Sequence, residues 1–191
     1  MNWKLGTVLL ALIAITSCEE EINIPKPPAY LRLELPIHSY TKYVDSCQYS
    51  FDLASIYSVE NAPDNEQSRC HRRINLGPLN GTVYFRYWDM VEPLSYYVNN
   101  ANDEIDRHKG KATDVNDKFI IREKDDVYGI IFQLDGDVAT PFQFYLTDST
   151  NQFVYGEVLF NMSPKYDSLK PTLDYLRKDL DQLLETFKWN Q

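Results

Sequence analysis

Three cysteines, three histidines and a large stock of serines and carboxylates are the residues of this chain whose types can do chemistry. Cys18 has the most informative setting. Ile15-Thr16-Ser17-Cys18 puts a branched residue and two small residues directly ahead of the thiol. Lipoprotein signal peptidases cut before such a cysteine once its sulfur carries diacylglycerol, and only cysteine can supply the thioether. Upstream, Lys4 gives a positive start and Leu5 to Ile15 an uncharged apolar run. That run is too short to span a hydrocarbon core, which needs ~20 apolar residues, but it suits the h-region of an export signal. The expectation is a signal peptide over 1–17 and a palmitate-bearing, triacylated Cys18. Each buried CH2 contributes ~0.8 kcal/mol, so two or more chains hold firmly. The alternative is an ordinary secretory signal with a chance cysteine at its end.

The remaining cysteines, Cys47 and Cys70, form an even pair in an exported chain, which favours a disulfide. Closing that loop would stabilise the fold by ~3.4 kcal/mol in the chain-entropy account. Two buried thiols acting as small apolar residues are the other reading; two cysteines are only half a zinc site, and His71 beside Cys70 adds no ligand spacing. His38, His71 and His108 are widely separated, with no HExxH pair. His108 ends an apolar helical stripe and reads as a helix-end or half-buried residue. No GxSxG elbow, CxxC motif or Gly-rich phosphate loop is present. Asp135 and Asp137 flank a turn glycine, Asp148-Ser149-Thr150 suits side-chain bonding to local backbone, and Asp167-Ser168 suits a helix N-cap. No catalytic residue, metal or cofactor is therefore expected, and the chain is not read as an enzyme.

A net charge of −9 leaves nothing to neutralise phosphates, which argues against nucleic acid as a partner. The hydrophobic fraction of 43% and aromatic fraction of 14% are those of a chain able to build a core. No second apolar stretch approaches spanning length, so the membrane is expected to be met through the N-terminal lipid alone.

The elements that must position these residues follow from periodicity. Residues 18–28 read as the lipidated cysteine and a Pro-rich tether, about 30 Å long if extended as polyproline II. Residues 29–191 read as a single domain. Ala29–Leu35, Gln48–Leu53 and, more weakly, Ala54–Val59 look like strands, with Glu60–Arg69 a loop. Thr82–Trp88 is strongly strand-like. Leu94, Tyr97, Val98, Ala101, Ile105 and His108 recur at helical spacing behind Pro93 and end at Gly110. Phe119–Ile121 is extended. Val127–Leu134 and Val138–Leu146 flank Asp135-Gly136, a hairpin signal, and Gln152–Phe160 completes a meander. Leu169, Leu173, Leu176, Leu180, Leu183, Leu184 and Phe187 mark a last helix from Ser168 to Phe187. Strands, helix, strands, helix give an α+β fold in which two helices cover an antiparallel sheet, resembling the PsbP/Mog1-type fold. Tyr84, Phe85, Tyr87 and Trp88 divide between two faces of one strand, so one subset is core. The other lies under a helix or forms an exposed aromatic surface, the basis for a ligand pocket between sheet and helix.

Several separate segments, in the same order, resemble the gliding-motility lipoprotein GldD family of Bacteroidota. They are Pro25-Lys26-Pro27 with Ala29-Tyr30-Leu31-Arg32-Leu33-Glu34, then Cys47-Gln48-Tyr49-Ser50-Phe51, Cys70, and His108-Lys109-Gly110-Lys111-Ala112. Next come Gln143-Phe144-Tyr145-Leu146-Thr147-Asp148-Ser149-Thr150 and Tyr166-Asp167-Ser168-Leu169 with the Pro171–Leu180 helix. His71-Arg72-Arg73 departs from the family, where an aromatic is expected. The resemblance implies a lipid-anchored, periplasm-facing envelope protein of gliding and type IX secretion, working by protein contacts alongside the membrane protein GldE. It supplies no catalytic residues. In its light Gln143, Tyr145, Asp148, Ser149 and Thr150 are candidates for an interaction edge. Glu19-Glu20-Glu21 is either the solvated start of a linker or an outward sorting signal.

Overall fold

In chain order the elements are β1 (Tyr40–Val44), β2 (Tyr49–Ala54), β3 (Ser58–Asn61), β4 (Arg72–Asn75), β5 (Gly81–Asp89), α1 (Leu94–Lys109), β6 (Asp114–Arg122), β7 (Val127–Asp135), β8 (Phe142–Thr147), β9 (Gln152–Phe160), α2 (Tyr166–Thr186) and β10 (Lys188–Trp189). They come from a computed structural model that describes residues 34–62, 69–161 and 166–190. Seven strands form an antiparallel sheet in the order β3-β4-β5-β9-β8-β7-β6, and β1-β2-β10 form a small second sheet.

β5 shows how the pattern becomes two faces. Val83, Phe85 and Tyr87 are buried on one side, while Tyr84, Arg86 and Trp88 are half-buried on the other. The first face is covered completely. α2 lays its leucine stripe there, and the small sheet packs beside it, with Tyr49 and Phe51 of β2 and Phe187 all ringed around Phe85. Gly156 lies opposite both Phe85 and Phe144, and a Cβ there would fall 2.1 Å from the Phe144 ring, so only glycine admits that ring. Among the described residues the second face has α1 alone. A helix is about 10–12 Å wide and strands are about 4.8 Å apart, so one helix cannot cover seven strands. α1 sits over β7, β8 and β9, burying Tyr97, Ala101 and Ile105 against Ile130, Phe132, Phe153 and Tyr155. The β5 side of that face stays open.

The α+β architecture, with an antiparallel sheet between two helices, is the expected one; several boundaries differ. Residues 29–33 of the first expected strand lie outside the described residues, and Glu34 and Leu35 are not in a strand. Ala54–Val59 is not one strand: Ala54 ends β2, and β3 begins at Ser58 after a turn. β1, β4 and β10 were not expected. The Asp135-Gly136 signal marks a real reversal, but the connection runs to Pro141 and β8 starts at Phe142 rather than Val138. Val138 is buried under α1, and its N–H bonds Gly136 O, which turns the chain out of the sheet. Phe119–Ile121 is the centre of a longer strand, β6. α2 starts at Tyr166, so Asp167 and Ser168 lie inside its first turn rather than at its cap, and Phe187 lies just past its end.

Candidate functional site

The open half of the second face forms a groove of about 330 Å³ between α1 and β5. Its floor is Arg86 and Trp88 of β5 with Tyr155 and Phe153 of β9, directly opposite each other in the register. Its wall is Tyr96, Asn100, Asp103 and Arg107, spaced so that they share one side of α1. Trp88 is wedged between Phe153, at 6.2 Å, and the edge of the His71 ring, at 5.3 Å. Tyr97 stands at 5.5 Å from Phe153 and at right angles to Tyr96, which is 54% exposed and therefore presents its ring to whatever enters.

Both arginines of the groove are paired. Arg86 Nη2 donates to Glu157 Oε1 at 2.8 Å, with its guanidinium over the Tyr155 ring, and Arg107 pairs with Glu104 at 2.9 Å. The Tyr155 hydroxyl donates to Gln143 Oε1 at 2.6 Å, and Gln143 Nε2 donates to Thr140 Oγ1 at 3.0 Å, so this polar chain beneath the floor is satisfied. Burial, with the nearby Glu157 and Glu104, pushes the Tyr155 phenol far above the usual tyrosine range and keeps it a donor.

A second exposed feature is the β6 edge. Among the described residues, strand order leaves β6 unpaired along its outer side. Its α2-side residues are held inward: Ile120 is buried, Lys118 pairs with Asp181 at 3.2 Å, and Arg122 donates to the Glu185 and Phe187 carbonyls. On the other side Phe119 and Ile121 are 69% and 67% exposed. Nine residues of edge strand with two open apolar side chains form a template for another chain.

Two polar clusters are structural. Asp45, buried, accepts from Arg72 Nε at 2.6 Å and Nη2 at 2.7 Å, from Cys47 N at 2.7 Å, and from the Tyr43 and Tyr49 hydroxyls. Cys47 and Cys70 are joined by a disulfide beside it, with Cα atoms 5.6 Å apart. Asp179 of α2, also buried, accepts from His38 Nδ1 at 2.7 Å and from the hydroxyls of Tyr40 and Tyr57. Burial and then Asp179 push the Tyr40 phenol up to about 12, so it stays a donor. With His38 stacked on Tyr175 at 4.0 Å and Pro36 O accepting from the Tyr175 hydroxyl, this cluster ties residues 36–40 to α2. It thereby fixes where the N-terminal segment leaves the sheet.

The groove, the β6 edge and both clusters all fall within residues 20–189, the stretch matched by the family model for gliding motility lipoprotein GldD. The chain belongs to the GldD family. A GldD-family protein is a gliding motility lipoprotein, an envelope protein associated with the motility machinery. No curated protein matches the chain. Among solved structures it is similar to the solution structure of cyanobacterial PsbP (CyanoP) from Synechocystis sp. PCC 6803, at 10% identity over 85% of this chain and 99% of that one, with a TM-score of 0.45. Among the described residues no helix is long and apolar enough to cross a membrane.

In this GldD-family chain the residues singled out from sequence separate. Cys18, and the tether after it, lie outside the described residues. Gln143, Tyr145, Asp148, Ser149 and Thr150 do not form an edge, because β8 is hydrogen-bonded to β7 on one side and β9 on the other. Gln143 is fully buried, and Tyr145 is half-buried with its ring stacked on Phe153. Asp148 accepts from the N–H groups of Thr150, Asn151 and Gln152 at 2.8–2.9 Å and so closes the β8–β9 turn, with Ser149 at φ +71°. Of the five only Ser149 and Thr150 are exposed. Arg72, in the segment that departs from the family pattern, is the partner of Asp45. The groove wall was not anticipated. Its one sequence signal is Tyr96-Asn100-Asp103-Arg107, an aromatic residue placed on the polar face of an amphipathic helix.

Proposed function

We propose that this protein is a non-enzymatic, lipid-anchored accessory component of gliding motility and type IX protein secretion that works by contact with other envelope proteins, GldE among them. Cys18 carries the lipid, and residues 18–28 hold one folded domain off a membrane surface on its periplasmic side. The observation that carries this reading is the exposed pair Phe119 and Ile121 on the unpaired β6 edge of a GldD-family chain. An edge of this kind pairs with a strand of a partner, whose main chain supplies the hydrogen bonds and whose side chains cover the apolar pair.

Two chromosomal variants test it. Cys18→Ala should release the protein from the membrane fraction. Phe119→Asp with Ile121→Asp should leave its abundance normal, because both side chains are exposed, while abolishing colony spreading and secretion of type IX cargo. Normal spreading and secretion with the edge so altered would contradict the contact reading.

A second reading rests on a different observation. The groove of about 330 Å³ falls at the lower end of the ~300–1,000 Å³ range of small-molecule sites, and it combines aromatic surface with a few polar groups. In this reading the protein is an envelope ligand binder.

A further inference from the structure

We infer that the groove between α1 and β5 binds a saccharide; this rests on the second reading above and names its ligand. The lining disfavours two classes of ligand. Arg86 and Arg107 are each paired with a carboxylate, so an anionic ligand such as a phosphate meets no uncompensated cation. Along the floor Arg86 and Trp88 are paired with Tyr155 and Phe153 of β9, while the β4 pairing of β5 ends at Phe85. A wholly apolar ligand would leave the polar wall of α1 without partners.

The lining matches a ligand with a flat apolar face and hydroxyls around its rim, which describes a pyranose ring. The half-buried Trp88 and the exposed Tyr96 line the groove with π-surface, broad and rigid, on which the C–H face of a sugar can lie. Asn100 and Asp103, both exposed on the facing wall, have side chains that bond nothing else among the described residues. Each is planar, with two adjacent polar atoms, and so matches a pair of vicinal hydroxyls. The packing of Trp88 against Phe153 and His71 fixes the ring before the ligand arrives, which reduces the ordering cost of binding. The volume admits a short oligosaccharide segment, whether free or part of a longer glycan.

The test is a titration of the lipidated protein in a zwitterionic detergent, since sugar-headed detergents would compete. The ligands are an N-acetylglucosamine trisaccharide and mannotriose, and the indole N–H signals of Trp88 and Trp189 are followed by NMR. The expected result is a saturable shift of Trp88 with at least one sugar, with Trp189 unmoved. Asp103→Ala, at an exposed position, should weaken that binding at least about tenfold without changing the melting temperature. Native mass spectrometry of protein taken directly from its envelope reads the broader ligand reading separately. No shift with either sugar, together with a bound mass that is not a saccharide, overturns the saccharide inference and keeps the ligand reading. No shift and no bound mass overturns both. Full affinity in Asp103→Ala overturns the placement of the sugar against α1.

Discussion

Asp45→Asn is the sharpest probe of how this fold is held. Asp45 receives two bonds from Arg72, one from the Cys47 backbone and two from tyrosine hydroxyls, all in a site closed to water. The asparagine keeps the shape but leaves the buried Arg72 guanidinium without a counter-charge. Breaking a buried pair from one side costs about 3–5 kcal/mol. For a chain of this length each kcal/mol lowers the melting temperature by about 2–4 °C, so the fall should be about 6–20 °C. Burial by itself would raise the Asp45 pKa, but the bonds from Arg72, Tyr43 and Cys47 N–H outweigh it and hold the carboxyl below the ordinary range. A depressed folded pKa means the stabilisation is complete above the unfolded value, about 3.9, and is lost as pH falls through the folded one. Urea unfolding of wild type and variant, with the disulfide intact, should therefore show the full difference near neutral pH and a shrinking one below about pH 4. Asp45→Leu with Arg72→Met should recover most of the loss, because no buried charge remains. A single-variant loss under about 1 kcal/mol, or a difference flat into acid, would refute the reasoning.

Gly156→Ala should destabilise by about 1–3 kcal/mol through overpacking on Phe144, and Phe144→Leu in the same chain should restore part of it; thermal unfolding of the three variants reads both effects. Asp148→Ala should cost about 2 kcal/mol, because a carboxylate bonding three backbone N–H groups closes the β8–β9 turn. Those bonds outweigh burial and lower the Asp148 pKa, so this loss too should be full near neutral pH and fade in acid, as urea unfolding at several pH values will show. Cys47→Ser with Cys70→Ser should lose about 3 kcal/mol by the same measurement, in proportion to the loop released from constraint.

What could be read from the sequence was whatever a single segment decides for itself. The alternation of Thr82–Trp88 gave β5, and the leucine stripe of α2 needed no partner to be recognised. β4 was invisible because Arg72-Arg73-Ile74-Asn75 carries one apolar residue; its place in the sheet depends on Asp45, 27 positions earlier, which neutralises Arg72. β1 is half polar for a similar reason, since Tyr40 and Tyr43 serve as donors to Asp179 and Asp45. Gln143, Tyr145 and Asp148-Ser149-Thr150 were candidates for an edge through the family resemblance, and the strand pattern itself does not reveal which neighbours flank it. A ligand pocket between sheet and helix was an alternative the aromatics of Thr82–Trp88 offered, but its wall on α1 was not legible. Tyr84, Arg86 and Trp88 are only half-buried because α1 settles over β7–β9, and that choice is made by packing far along the chain.

The central claim is contact between this lipoprotein and its envelope partners through the β6 edge. The most direct measurement is mild crosslinking in living cells, followed by purification of the lipidated protein and identification of what accompanies it. With the native edge, GldE or components of the secretion core should be recovered, and Phe119→Asp with Ile121→Asp should remove them. Recovery of the same proteins from both strains, or of none from either, would contradict the account.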